Sequence, residues 1–210
     1  MGQVKVLDRH IMVDLETLAN ESAYPLITSV ALVEFDMASG DILDTFRINI
    51  DIASSIQEGF DIAGHNLEWW TETPEKVKVF RDLLVDTVTI REALYQIQMW
   101  FHSKKVSEIG GVWGNSNRFD LGILGRAFNK LFPKRGYPWE FFIERDVRTL
   151  MDLYPMINRI DGTSLPDYKT IHRNLFKGDF HDPLADCKNQ IEYVVAFMND
   201  LRRRIKNENF

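Results

Sequence analysis

Three apolar runs rich in β-branched residues fall within the first fifty positions, and they commit this chain to a sheet. Ile11 to Leu15 reads as a buried strand, Ile27 to Phe35 (ITSVALVEF) as a second, and Ile42 to Ile50 (ILDTFRINI), with its alternation, as a third. The turn cluster Ala38-Ser39-Gly40-Asp41 links the last two closely, which predicts an antiparallel meander.

Beyond the meander, helices alternate with short strands. Residues 53–66 read as a loop with a short helical piece. A helix starts at Thr73, its N-cap, with Pro74 at the first helical position. Thr89 to Ser103 is strongly amphipathic. Gly110 to Trp113 is a short strand, Arg118 to Phe132 a helix broken by Pro133, and Phe141 to Glu144 a fifth strand. The last helix runs from Pro183 to Lys206 with Asp182 as its cap. The expected fold class is α/β, a central mixed five-stranded sheet flanked by helices. With 210 residues, 45% of them apolar, the chain has enough for one domain spanning 1–210.

The formal charge of −6 excludes a duplex-coating protein with a broad basic stripe. It leaves room for an enzyme that grips a few nucleotides beside metal ions, because bound cations reverse the local sign. Cys187 is the single cysteine, so neither a disulfide within the chain nor a CxxC zinc motif is available. Met1 to Val6 lacks the apolar run of a signal peptide, and no stretch of about 18 apolar residues exists. The expectation is an intracellular, cytoplasmic protein with no membrane partner, consistent with a bacterial or phage-infected cell.

Chemistry enters with acids. Asp14 and Glu16 are two apart on the first strand, so they point to one side, roughly 6.5–7 Å apart along the chain. An isolated Asp-x-Glu is common as two solvent-facing acids; it is also a pair of hard oxygen ligands for magnesium or manganese. Asn117 is placed to cap the next helix, which puts Asp120 in its first turn at the end of the apolar stripe Leu124, Ala127, Leu131. There it serves either the helix dipole or a metal. Asp186 sits at the margin of the stripe Leu184, Cys187, Ile191, Val194, Met198, where an acid is unusual without a partner. His181, just outside that helix, reads as a surface residue of a cap or as a mobile proton carrier. Cys187 reads as packing.

Taken in order, Asp14-x-Glu16, Asp120 and His181-x4-Asp186 resemble the DEDDh exonuclease superfamily with its ribonuclease H-like fold. The motifs span residues 14 to 186. Within that superfamily the chain is most similar to the group of phage-type exonuclease A and bacterial RNase AS. That similarity rests on Trp113-Gly114-Asn115, Ser116 to Asp120, Glu68-Trp69-Trp70 and Arg145-Asp146-Val147-Arg148-Thr149. Many proofreading relatives carry His-Asn where this chain has Asn115-Ser116, which argues against a proofreading subunit.

The resemblance implies a metal-dependent 3′–5′ exonuclease that hydrolyses single-stranded RNA or DNA to nucleoside 5′-monophosphates. Two Mg2+ or Mn2+ ions would be held, one by Asp14, Glu16 and Asp186, the other by Asp14 and Asp120, clamping the attacking and leaving oxygens. His181 would be the general base, a task suited to an imidazole of ordinary pKa roughly 6.5. Leu15, Thr17, Leu18 and Phe119 would contact the terminal nucleotide, Phe119 by stacking. The partners would be single-stranded 3′ ends, and a homodimer is allowed. A non-catalytic nucleic-acid-binding module on the same fold is the competing reading; loss of one of the five site residues would favour it, and none is lost.

Other residues carry two readings each. Trp69 and Trp70 line a substrate groove or brace a loop. Arg145 and Arg148 meet phosphate or make plain ion pairs. Arg202 to Lys206 touches nucleic acid or is a solvated helix end. His10, His65, His102 and His172 show no ligand spacing.

Overall fold

Alternation along the first strand sets the architecture. β1 (Arg9–Thr17) turns Ile11, Val13 and Leu15 into one apolar layer and Met12 into a second on the opposite face. Asp14 and Glu16 continue the Met12 side, because residues two apart share a face. The structure, a computed structural model, describes residues 7–161 and 180–207; His172 lies outside them.

β1 pairs antiparallel with β2 (Ile27–Asp36), which pairs antiparallel with β3 (Ile42–Ile50). The Asp36 carboxylate accepts the N–H groups of Ala38 and Ser39, and Gly40 takes the left-handed φ of 83° that closes the hairpin. After β3 come α1 (Ile52–Gln57), α2 (Gly64–Thr71), α3 (Pro74–Leu83), β4 (Thr87–Val88) and α4 (Ile90–His102). The caps of α3 and α4 are the threonines before them: Thr73 accepts from Lys76 N and Thr89 from Glu92 N. β5 (Ile109–Gly114), α5 (Asp120–Leu131), β6 (Glu144–Asp146), α6 (Val147–Asp161) and α7 (Pro183–Asn207) complete the described residues.

The sheet order is β4-β3-β2-β1-β5-β6, with β1, β5 and β6 parallel. α4 and α5 cover one face. Ile90, Ala93, Leu94, Ile97 and Phe101 of α4 are all buried there, each full-length aliphatic contributing about 1.5–3 kcal/mol. α7 lies across β1 and β2 on the other face through Cys187, Ile191 and Val194. None of the described helices is long and apolar enough to cross a membrane.

The described sheet has six strands, not five. β4 is two residues long, too short for any periodic signal. The strand expected over Phe141 to Glu144 is displaced: Phe141 to Ile143 form a 3-10 turn, and pairing with β5 begins at Glu144. Phe141 and Phe142 are 74% and 63% exposed, so their apolar run buries nothing of the kind a strand would. The expected loop over 53–66 is more ordered than its composition suggests, holding α1 and the start of α2.

Pairing of β1 with β5 stops at Val13 and Gly114, so from Asp14 onward β1 has a neighbour on the β2 side only. A crevice therefore opens beyond the carboxyl ends of two parallel strands, where open α/β sheets bind ligands.

Candidate active site

Asp14 and Glu16 project from β1 into this crevice. Asp120 enters it as the first residue of α5. Asp186, in the first turn of α7, closes it from the other layer. The five residues Asp14, Glu16, Asp120, Asp186 and His181 line one cavity of about 310 Å³.

Three of the four carboxylates, those of Asp14, Asp120 and Asp186, accept hydrogen bonds from their neighbours. The Gln190 amide donates to Asp14 Oδ1 at 2.9 Å. Ser116 N–H donates to Asp120 Oδ2 at 3.1 Å. Asn117 does not cap α5 with its side chain as its position suggests. Its backbone N–H donates instead to Asp146 Oδ2 at 2.6 Å, and Asp146 Oδ1 accepts from Thr149 N. Asp146 thereby ties the turn before α5 to the start of α6. Asp182 caps α7 as expected, accepting from Ala185 N, and pairs with Arg47.

His181 is wedged between an aromatic wall and the acids. Its φ of 67° is the left-handed conformation, uncommon outside glycine. Its N–H donates to Asp186 Oδ2 at 3.1 Å, its ring meets Trp69 edge-on at 4.6 Å and Trp70 at 6.1 Å, and Nδ1 lies 3.8 Å from Glu16 Oε1. Trp70 braces: it is buried, donates Nε1–H to Thr17 O and stacks on Phe80. Trp69, with Lys76 over its ring, is the wall against His181.

The electrostatics are those of a site short of positive charge. Burial, then repulsion from Asp120, Asp186 and Glu16, pushes Asp14 well above the usual carboxylate range. Burial, then Asp186, Asp120 and Asp182, does the same to Glu16. Asp120 is raised to about 7 by burial, against the backbone N–H groups of Ser116, Asn115 and Leu15 and the charge of Arg148. Asp186 is raised to about 7 by burial, against the His181 N–H. Among the described residues no lysine or arginine forms an ion pair with any of the four. His181 is lowered by burial and by Lys76, which leaves its imidazole neutral near pH 7.

The other expected contacts divide. Phe119 lines the cavity. Leu15 reaches it too, yet its side chain is packed in the core, so it offers backbone. Leu18 is fully buried among core residues and Thr17 is 5% exposed, so neither presents a side-chain surface to a base. The β-bulge between Glu16 and Thr17 ends the alternation that would have carried them to the cavity. Arg145 is spent on the carbonyls of Phe142 and Glu144, whereas Arg148 lines the cavity. The basic tail is paired internally: Arg202 with Asp8, Arg203 and Arg204 with Asp200. Gln190 was not singled out in the sequence, and Asp146 stood there only within the Arg145 to Thr149 motif, with no role of its own. Gln190 had a signal, since it lies one turn after Asp186 on the same helical face.

Ligand atoms of Glu16, His181 and Asp186 all lie within 4.8 Å of one another, a grouping able to hold a metal ion. Residues 9–198 match the model of the Rv2179c-like family, described as a 3′–5′ exoribonuclease domain. The chain belongs to this family. It is a 3′–5′ exonuclease domain. No curated protein matches it by sequence. Its fold is ribonuclease H-like, as three solved structures illustrate. A 3′-exonuclease described in 3′-end specific recognition of a histone mRNA stem-loop has a TM-score of 0.61 at 15% identity, over 94% of this chain and 84% of that one. The nuclease domain of 3′hExo, a DEDDh family member bound to rAMP, has 0.57 at 16%, over 92% and 93%. E. coli exonuclease I in complex with an oligonucleotide has 0.63 at 16%, and there the Rv2179c-like chain covers 93% of itself but 41% of the larger enzyme.

Proposed function

We propose that this chain removes nucleotides one at a time from the 3′ end of single-stranded RNA, releasing nucleoside 5′-monophosphates, with two divalent cations, Mg2+ or Mn2+, as cofactors. The observation that carries the reading is the convergence of four mutually repelling carboxylates, Asp14 and Asp120 buried and Glu16 and Asp186 partly so, on a neutral histidine in one cavity. RNA is favoured over DNA by the family description.

The residues fit hard divalent cations. All four carboxylates are oxygen donors without an ion-pair partner among the described lysines and arginines, and Gln190 Oε1 and Asn115 Oδ1, in the same cavity wall, are buried without a hydrogen-bond partner. Asp14, Glu16 and Asp186 would hold one ion, Asp14 and Asp120 the other. When bound, the ions would neutralise the acids and the charge that develops on the phosphodiester.

The chain's own groups account for the remaining steps. His181, neutral at pH 7, takes the proton of the attacking water at Nδ1, the nitrogen turned toward Glu16, and returns it to solvent from its exposed edge. Trp69 and the strained backbone at residue 181 keep the ring in that orientation. Gln190 fixes the Asp14 carboxylate, and the Ser116 N–H fixes that of Asp120. Arg148 faces the entering phosphate, and Phe119 offers its ring to a base.

Matched single-stranded RNA and DNA, incubated with Mg2+ or Mn2+ and resolved by chromatography, test the reading. Nucleoside 5′-monophosphates should appear only with the cation, and faster from RNA. Products bearing 3′-phosphates, or release that survives chelation, would contradict it.

A further inference from the structure

A second cavity, of about 510 Å³, adjoins the first. Ser116 and Phe119 line both, so the Phe119 ring is the partition between them. One wall is the loop after β1, residues 20–23; the other is α5, with Arg118 just before the helix and Arg126 in its second turn. Arg126 Nε donates to Ala23 O at 3.0 Å, which joins the two walls. Among the described residues its Nη groups have no acceptor, and Arg118, which is exposed, has neither hydrogen bond nor ion pair.

We propose that this cavity seats the nucleotide on the 5′ side of the scissile bond, with the next phosphodiester held by Arg118 and Arg126. The proposal rests on reading the neighbouring cavity as a nuclease site. Direction follows from charge. A 3′-terminal nucleotide carries no phosphate beyond the scissile one, so arginines on its side would face no anion. The upstream nucleotide brings a further phosphodiester, and guanidinium groups match phosphate in geometry as well as charge. Glu21, on the loop wall, repels that phosphate and biases it toward α5. Phe119 stacks a base at the partition, and stacking accepts every base. The subsite therefore recognises backbone rather than sequence, and it needs at least three nucleotides to be filled.

The test compares an RNA dinucleotide, which lacks the upstream phosphodiester, with a trinucleotide, which has it. In the wild type, kcat/KM should be roughly tenfold higher for the trinucleotide, the size of one charge-assisted hydrogen bond. In the Arg118→Ala/Arg126→Gln variant that ratio should fall close to one. A trinucleotide with a neutral methylphosphonate at its upstream link should behave like the dinucleotide on the wild type, which checks the contact without altering the protein. A ratio near one in the wild type, or a ratio kept by both the variant and the methylphosphonate, overturns the subsite while leaving the nuclease reading intact. Failure of the wild type to cleave either substrate with Mg2+ or Mn2+ overturns the nuclease reading, and the subsite with it.

Discussion

A methyl group on Gly114 would lie 2.9 Å from Asp120 Cβ and 3.0 Å from its Oδ2, so the last residue of β5 touches the acid at the start of α5 with no room for a side chain. The strand and the helix meet closely enough to bring Asp120 to the acids of β1 only because residue 114 has no Cβ.

Gly114→Ala should therefore displace Asp120 and act as an activity variant. Overpacking costs about 1–3 kcal/mol, which a domain of this size survives. Turnover should fall by at least about tenfold, since small misplacements of reacting groups are costly. Steady-state rates beside thermal melts check this. A melt lowered in that range with wild-type turnover would show that Asp120 needs no such placement.

His181→Asn should lower turnover by about 10²–10⁴-fold while changing cation affinity little. The imidazole sits at the edge of the acid cluster, 3.8 Å from Glu16 and wedged against Trp69, which suits a proton acceptor. Calorimetric titration with Mn2+ alongside single-turnover rates separates the roles. Lost binding with a normal rate at saturating cation would make His181 a ligand instead.

Without cations the folded protein should grow less stable as pH rises. Asp120 and Asp186 titrate near 7 in the fold against about 3.8 in the unfolded chain, so the folded state binds more protons between those values. Their contribution is full at low pH and is lost as pH climbs through about 7. Asp14 and Glu16 act in the same direction. His10 opposes them: burial lowers it to about 4, so its contribution is lost as pH falls from about 6.5 to about 4, and the lowered pKa of His181 acts likewise. Four carboxylates outweigh two histidines, so the chelator-treated melting temperature should rise from about pH 8 to about pH 6. Added Mg2+ should raise the melt most at the alkaline end, where protons compete least. Asp120→Asn or Asp186→Asn should stabilise the cation-free protein at about pH 8 and remove activity. A chelator-treated melt that rises with pH would contradict the electrostatic picture.

The acids were legible in the sequence because strand and helix periods fix where side chains point. Asp14 and Glu16 had to share a face once Val13 and Leu15 were assigned to the core, and Asp186 stood out at the edge of an apolar helical stripe. Periodicity fails where it is interrupted. The bulge after Glu16 took Thr17 and Leu18 out of the alternation and buried them, and β4 pairs over two residues that no window detects. Asn117 looked like a helix cap because its residue type permits one; the partner that claimed its backbone, Asp146, lies 29 positions away. A longer separation hid the adjoining cavity, whose walls come from the loop after β1 and from α5: Ala23 and Arg126, which join them, are 103 positions apart.

The central claim is stepwise attack from a free 3′ end, and a 5′-labelled RNA strand incubated with Mg2+ or Mn2+ tests it most directly. The carboxylates meet at one end of the sheet beside two short cavities, so only a few terminal nucleotides can be held, and a paired end must first open at a cost of a few kcal/mol. The label should remain on a ladder that shortens one nucleotide at a time, while the same strand annealed to its complement is degraded much more slowly. Internal cuts in a circular single strand, or equal rates on blunt duplex, would contradict the account and indicate an endonuclease or an enzyme built to hold duplex.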